Sequence, residues 1–556
     1  MTAIASPKDR VWSRREIEGL IAEGRKIIIF DGRVIKADSW LPFHPGGEKA
    51  VLHMIGRDAT DEIRALHSTE AQIFMQKFVI GRIEGRWANF LPPIQGGHFR
   101  PYLRGQEEHG KGDSQTEVAS SSSSSSSPPE SPIFDPADTP ARHRSGVSSV
   151  SSLSDAESLT TSPDPIEAKL NAEEALDRLK YPSLDWASQD RIIAKYRELE
   201  TRVRAAGLYD CSYGAYGIEC CRYTFLFVSF LVALHYSHYA LSAAFLGMLW
   251  HQLVFTVHDA GHIGITHNFH VDTCIGIFIA DFVGGLSLGW WKRNHNVHHI
   301  VTNSPEHDPD VEYLPFFAIT TRFFSSLRST YYERVFHFDA LSKWTIPVQH
   351  WLYYPILTFG RFNLYRLCWE YLLSGKAPKK GPAWWHRYLE MVGQVFFWTW
   401  FGYGVLYKSI PTAWDRFVFV MISHMITAPV HVQITLSHFA MSTNDLGVDE
   451  SFAQKMLRTT MDVDCPTWLD FFHGGLQFQA VHHLFPRIPR HNLRKAQKYV
   501  KEFCAETGIP YVIYGFTDGN KEVIGRLEEV AKQVKVFEEC RKACARELVE
   551  GHAHAH

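Results

Sequence analysis

Three short runs constrain this chain more than anything else in it: His258-Asp259-Ala260-Gly261-His262, His295-Asn296-Val297-His298-His299 and Gln479-Ala480-Val481-His482-His483, each beside an apolar block. Imidazoles in apolar surroundings are costly unless something binds them. The spacings i, i+4 in the first run and i, i+3, i+4 in the others put each set on one face of a helix. Together they supply His258, His262, His295, His298, His299, His482 and His483, too many for one tetrahedral site and suited to two metals. Ligand type alone admits iron, zinc or copper.

At 556 residues the chain is long enough for two or more units joined by linkers. With 57 basic and 60 acidic residues it lacks the basic excess of a nucleic-acid binder, and no nucleic-acid partner is expected. Nine cysteines form no CxxC pair, which favours a reducing environment. The first thirty residues lack an apolar h-region, so membrane insertion is expected from internal segments.

Residues 8–90 read as a small α+β unit. Lys26 to Phe30 is strand-like, Asp31-Gly32 is a turn, and Val34-Ile35 resumes the strand pattern. The run His44-Pro45-Gly46-Gly47 then forces a tight turn from which His44 projects, and His67 lies downstream. This stretch resembles the cytochrome b5 haem-binding domain. The resemblance implies that His44 and His67 are the axial ligands of a haem b, with His53 set aside and Val51, Leu52, Ile55, Ile63, Leu66, Phe74 and Phe78 available as lining. A haem held by two histidines has no open position and carries electrons singly. Asp58, Asp61 and Glu62 lie near the expected haem edge, either as a docking face for a basic electron donor or as a solvated face.

Residues 91–165, with the run Ser120 to Ser127, cannot bury a core and read as a disordered Ser/Pro-rich linker spanning about 45 Å as a coil. Residues 166–222 read as an amphipathic helical segment on a membrane surface or packed on the next domain, with Leu170, Leu176, Leu179, Ile192, Ile193 and Tyr196 as its stripe. Residues 223–515 carry the apolar blocks. Two crossings are expected over 223–257 with a turn near His235 to His238, then apolar stretches at 272–289 and 344–360 and spans at 391–408 and 415–437. Asp281 marks 272–289 as interfacial or packed on protein. Arg222, Lys292 and Arg293 place the histidine runs and the N-terminal unit on the cytosolic side, with four full crossings expected. Residues 516–556 read as a charged helical tail. The fold class is therefore multidomain: a haem unit and an α-helical integral membrane unit of about four spans with a cytosolic cap.

An electron-carrying haem unit in the same chain argues for iron over redox-silent zinc. The cytochrome b5-like unit, HDAGH, HNVHH and QAVHH together resemble the front-end membrane desaturases, in which Gln replaces the first His of the last box. Trp290 to His295 and His307-Asp308-Pro309-Asp310 look most similar to the fungal sphingolipid delta-8 desaturases. The resemblance implies two non-haem irons held by the seven box histidines, with His438 as a further ligand and Gln479 as a weak or supporting one. Asp259, Asn296 and His307 are candidates to orient imidazoles, while Asp308 and Asp310 are candidates to cap a turn. It further implies an oxidoreductase of the endoplasmic reticulum membrane that uses O2 and electrons from NADH-cytochrome b5 reductase. Its substrate would be the long-chain base of ceramide or glucosylceramide, desaturated at C8. Fatty-acyl front-end desaturation, lipid hydroxylation and a non-catalytic haem-anchored adaptor are the competing readings.

Overall fold

The structure, a computed structural model, describes residues 7–102 and 165–553. Most of the expected linker, residues 103–164, and the last three residues of the histidine-ended tail lie outside the described residues. All other elements below form one compact unit.

The N-terminal unit begins with the helix Arg14–Ala22, whose start is fixed by a reciprocal capping box between Ser13 and Glu16. Strands Ile27–Phe30 and Arg33–Lys36 pair antiparallel around Asp31-Gly32, both at positive φ (49° and 68°), and Val79–Arg82 adds a third strand. Strand alternation separates the isoleucines: Ile27 and Ile29 pack with Ile17, Ile21 and Trp87, whereas Ile28 and Phe30 pack with Ala50, Met54 and Ile63. The second cluster continues into Val297, Ile300 and Val301 of the helix Leu288–Val301, so the small unit shares a core with the helix that carries the second histidine run. Residues 91–102 are tied down rather than linker-like: Arg100 is bonded to Glu18 and Gln95 to His53.

The expected amphipathic segment is two helices, Pro165–Lys180 and Trp186–Ala205. Ile192, Tyr196, Leu199 and Val203 are buried against Phe452, Met456 and Phe485, so the second helix packs on protein. Leu176 and Leu179 are exposed, because the chain breaks at Tyr181-Pro182 and the two helices do not continue one stripe.

Among the described residues, three helices are long and apolar enough to cross a bilayer: Tyr213–His235, Tyr239–Gly261 and Ala413–Phe439. Twenty-three residues rise about 34 Å, enough for the hydrocarbon core. The first two turn back on each other through Ser237 at φ 61°, as expected, but the first starts at Tyr213 rather than after Arg222. The stretch around 272–289 is not a straight span. It runs as Phe269–Val283, breaks at Gly284-Gly285, and leaves as Leu288–Val301 at 118°; counted as one span it makes the fourth. Asp281 is fully buried and accepts from Gln394 at 3.1 Å, facing protein rather than lipid. Residues 391–408 are helical, within His386–Phe397 and its π-helical continuation Trp398–Ser409, yet they do not belong to the long apolar set. Residues 344–360 form short helices, among them Gln349–Thr358. The C-terminal helix Phe516–Ala553 buries Val523, Leu527, Val530 and Val534, spaced on one face, against the membrane unit's cap.

Candidate haem and metal sites

His44 sits where the turn Leu41–Phe43 ends, and its Nδ1 donates to the Gly47 carbonyl at 2.8 Å. His67 follows the helix Thr60–Leu66 and its Nδ1 donates to the Ile63 carbonyl at 3.2 Å. Both bonds leave Nε2 free to ligate. The ring centres are 5.8 Å apart, and two imidazoles on opposite sides of one iron, each at about 2 Å, put ring centres about 6 Å apart. The pair fits a haem iron. Burial holds both rings below their ordinary range, and with the charge of His44 adding to it pushes His67 down to about 3, so both are neutral as ligation requires. Trp40 packs on His44 with ring centres 5.6 Å apart, a neighbour that no spacing or motif singled out. Phe74 is half exposed and lines less than expected. His53 takes no part: its ring faces His307 at 5.2 Å. The acidic run is not a free docking face either, since Asp61 is buried and accepts from Arg197 at 2.8 Å. Burial raises Glu62 to about 7.

The box histidines and His438 converge from four helices. Nitrogens of His258, His262, His295 and His482 lie within 4.8 Å of one another, and so do those of His298, His438 and His483. His299 stands between the groups: its Nε2 is 3.1 Å from Nε2 of His295 and 3.2 Å from Nε2 of His482, and its ring is 4.3 Å from that of His483. Three ring nitrogens facing one another cannot all be satisfied by shared protons. In addition His258 Nε2, His262 Nε2, His299 Nδ1, His438 Nδ1 and His483 Nε2 are buried without a hydrogen-bond partner among the described residues. Unpartnered buried imidazoles gathered in two adjacent sets fit two cations. His438 comes from the end of the helix Ala428–Phe439. Gln479 is buried one turn before His483, and its amide makes no hydrogen bond to the histidines among the described residues.

The residues that orient these rings differ from those expected. Asp308 Oδ2 accepts from His298 Nδ1 at 2.8 Å and from the Asn303 amide at 2.8 Å, which turns His298 Nε2 towards His438 and His483. Asp310 accepts from Asn294 and lies 3.9 Å from His295 Nδ1. Asp259 instead binds Tyr216 and Arg490, and His307 Nδ1 meets Thr330 Oγ1 at 3.1 Å. Trp291 stacks on His295 with ring centres 4.4 Å apart. In the sequence Asp308 stood out only as a candidate turn cap, and no spacing tied it to His298.

Asn296 also departs from expectation, because its amide donates to the Gly46 carbonyl at 3.3 Å. A Cβ at Gly46 would meet that amide nitrogen at 2.6 Å, and one at Gly47 (φ 85°) would meet Arg293 Cγ at 3.0 Å. The glycine turn beside His44 thus lies directly on the helix that holds His295, His298 and His299. Glu48 pairs with Arg293 at 3.3 Å, and Lys49 Nζ donates to the Thr330 and Tyr331 carbonyls at 2.6 and 2.7 Å.

Residues 234–515 match the family described as Fatty acid desaturase. The chain belongs to this family. Residues 13–84 match the Cytochrome b5-like Heme/Steroid binding domain, which assigns haem to the N-terminal unit. The chain is 63% identical over 553 residues to a Delta 8-(E)-sphingolipid desaturase of Emericella nidulans, covering 98% of this chain and 99% of that one. It is 46% identical to a protein of the same description from Candida albicans, covering 97% and 98%. An Acyl-lipid (9-3)-desaturase of Borago officinalis is 36% identical over 354 residues, 63% of this chain and 77% of that one. With its apolar helices, this member of the desaturase family is a multi-pass membrane protein.

Proposed function

We propose that this desaturase introduces a trans double bond at C8 of the sphingoid long-chain base of ceramide or glucosylceramide, using O2 and electrons received from a cytochrome b5 reductase. The observation that carries the reading is the meeting of six box histidines and His438 in two adjacent sets with His299 between them, one helix away from the haem turn, in a chain similar over nearly its full length to delta 8-(E)-sphingolipid desaturases. His44 and His67 hold the haem in a unit of about residues 8–90, and the box histidines with His438 hold two irons in a unit of about 223–515. When bound, these groups supply single electrons and an oxygen-derived oxidant strong enough for an unactivated methylene, which no side chain provides. The chain's own residues fix His298 through Asp308, bring the haem turn against Asn296, and cover His295 with Trp291. The unit sits in the endoplasmic reticulum membrane with haem and histidines on the cytosolic side. Gln479 takes a supporting place beside His482 and His483.

Long-chain-base profiling of a strain lacking C8-unsaturated bases tests this. Expression of the wild type restores them and His298→Ala does not, with haem absorbance intact in both. Changes confined to polyunsaturated fatty acids would refute the substrate, and an active His298→Ala would refute the metal site.

A further inference from the structure

Arg487 follows His483 by four positions and is 6% exposed. Among the described residues its guanidinium makes no hydrogen bond, no ion pair and no contact with an aromatic face. A buried cation is tolerated where an anion meets it. Arg490, three positions further on, meets Asp259 and Glu219, and Arg458 meets Glu450. Among the described residues no carboxylate does the same for Arg487. In its neighbourhood Tyr209 Oη is buried and also without a partner. Burial raises this hydroxyl to about 12, and the positive charge of Arg487 opposes the rise. Two orphaned donors in one neighbourhood suit a carboxylate, which accepts from a guanidinium and a hydroxyl together.

Their place in the fold says which carboxylate. Phe485 and Ile488, on either side of Arg487, share one buried cluster with Ala65, and Tyr209 packs against that cluster. Ala65 lies in the helix Thr60–Leu66, two positions before His67. Arg487 and Tyr209 therefore stand, from outside the haem unit, beside the end of the helix that presents His67. The Arg487 charge adds to the burial and the His44 charge that lower His67, and to the backbone amide and Ser68 bonds that lower Glu70. Glu70 itself is exposed and makes no ion pair with Arg487. A b-type haem carries its propionates on one edge, and apolar lining such as Leu66 and Phe78 offers those carboxylates nothing. We propose that Arg487 and Tyr209 hold a propionate of the haem, so that both units of the chain grip the cofactor. This rests on the haem ligation by His44 and His67 proposed above. It ties the haem edge to the segment that carries His482 and His483.

Haem transfer from the full-length oxidised protein to excess apomyoglobin tests the contact without turnover. Arg487→Met should speed haem loss about tenfold, Arg487→Lys clearly less, and Tyr209→Phe about threefold. Arg487→Met should also lower the haem reduction potential, because a propionate left without its cation favours the ferric state. A general loosening of the fold is separated by loading the full-length apoprotein with haem dimethyl ester, whose carboxylates are blocked. The wild type and Arg487→Met should lose that ester at equal rates, and Glu70→Gln should behave as the wild type throughout. Haem loss and potential unchanged in Arg487→Met would overturn the assignment. So would an equally accelerated loss of the ester, or the same effects in Glu70→Gln. A wild type without haem would overturn the ligation by His44 and His67 together with this assignment, whereas the preceding outcomes leave that ligation standing.

Discussion

Asp308 shows what a single residue decides in this molecule. It is fully buried, accepts from His298 Nδ1, and is itself fixed by the Asn303 and Asp310 amides. Asp308→Asn presents an amide that cannot accept in the same way at both bonds, so His298 loses its fixed tautomer. Iron content should fall with an affinity loss of about 10–100-fold, while the haem spectrum stays unchanged; metal analysis per haem reads this directly, and full iron content would contradict it. The histidines were legible from their spacing because i, i+3 and i+4 mean one helical face whatever the tertiary structure. Their supports were not. Asp259 follows His258 directly, yet sequence adjacency on a helix turns neighbours to different faces, and its carboxylate goes to Arg490 and Tyr216 instead. Asp308 reaches back to its histidine only because the chain turns after Thr302, a fact about the loop rather than about any periodicity.

Among the elements, the contact between the glycine turn and Leu288–Val301 matters most for electron delivery. Tunnelling falls steeply with distance, and the Gly46 carbonyl on Asn296 joins the turn that carries His44 to a neighbour of His295. Gly46→Ala places a methyl where the amide now lies at 2.6 Å and should separate the two. Reduction of the haem by its reductase should be unaffected, whereas stopped-flow reoxidation of the reduced haem with substrate and O2 should slow at least several-fold; an unchanged rate would remove the contact from the electron path. His53 gives the same interface a pH dependence. Burial first, and then the charges of His307, Lys455, Lys49 and Arg57, hold it well below 6.5. Its folded value is depressed, so its contribution is complete above about pH 6.5 and is lost as pH falls. Spin-label distances between the haem unit and the loop near Val448 should broaden from about pH 7.5 to about pH 5.5, and less so in His53→Gln. Equal broadening in both would assign the effect elsewhere. The strands, the hairpin turn and the existence of the apolar helices were legible from pattern. The 118° break was not, because hydropathy over a window measures apolar length and carries no direction.

For the whole molecule, the haem unit, the paired helices 165–205 and the C-terminal helix belong with the two histidine sets to one body. Arg458 is a point where they lock: 1% exposed, it binds both oxygens of Glu450 at 2.8 Å and reaches Ser442, while Asp177 of the helix Pro165–Lys180 lies 3.7 Å away. Arg458→Met leaves Glu450 buried and uncompensated, at a cost of about 3–5 kcal/mol. Unfolding of the detergent-solubilised protein should show that loss, and Glu450→Gln added to it should recover part; an additive second loss would contradict the pairing. Such long-range pairs, like the core shared by Ile63 and Val297, join segments hundreds of residues apart and leave no local trace in the sequence. The two units could be recognised separately; their fit could not. That fit is the centre of the account, and a single turnover tests it most directly. Purified protein with both its haem and its metal sites reduced and the reductase removed, given a saturated-base ceramide and O2, should reoxidise its haem as C8-unsaturated base forms, with neither event in His298→Ala. The metal sites are reduced as well because each double bond takes two electrons and one haem carries one. Haem reoxidation that proceeds equally without ceramide and yields no C8-unsaturated base would contradict it.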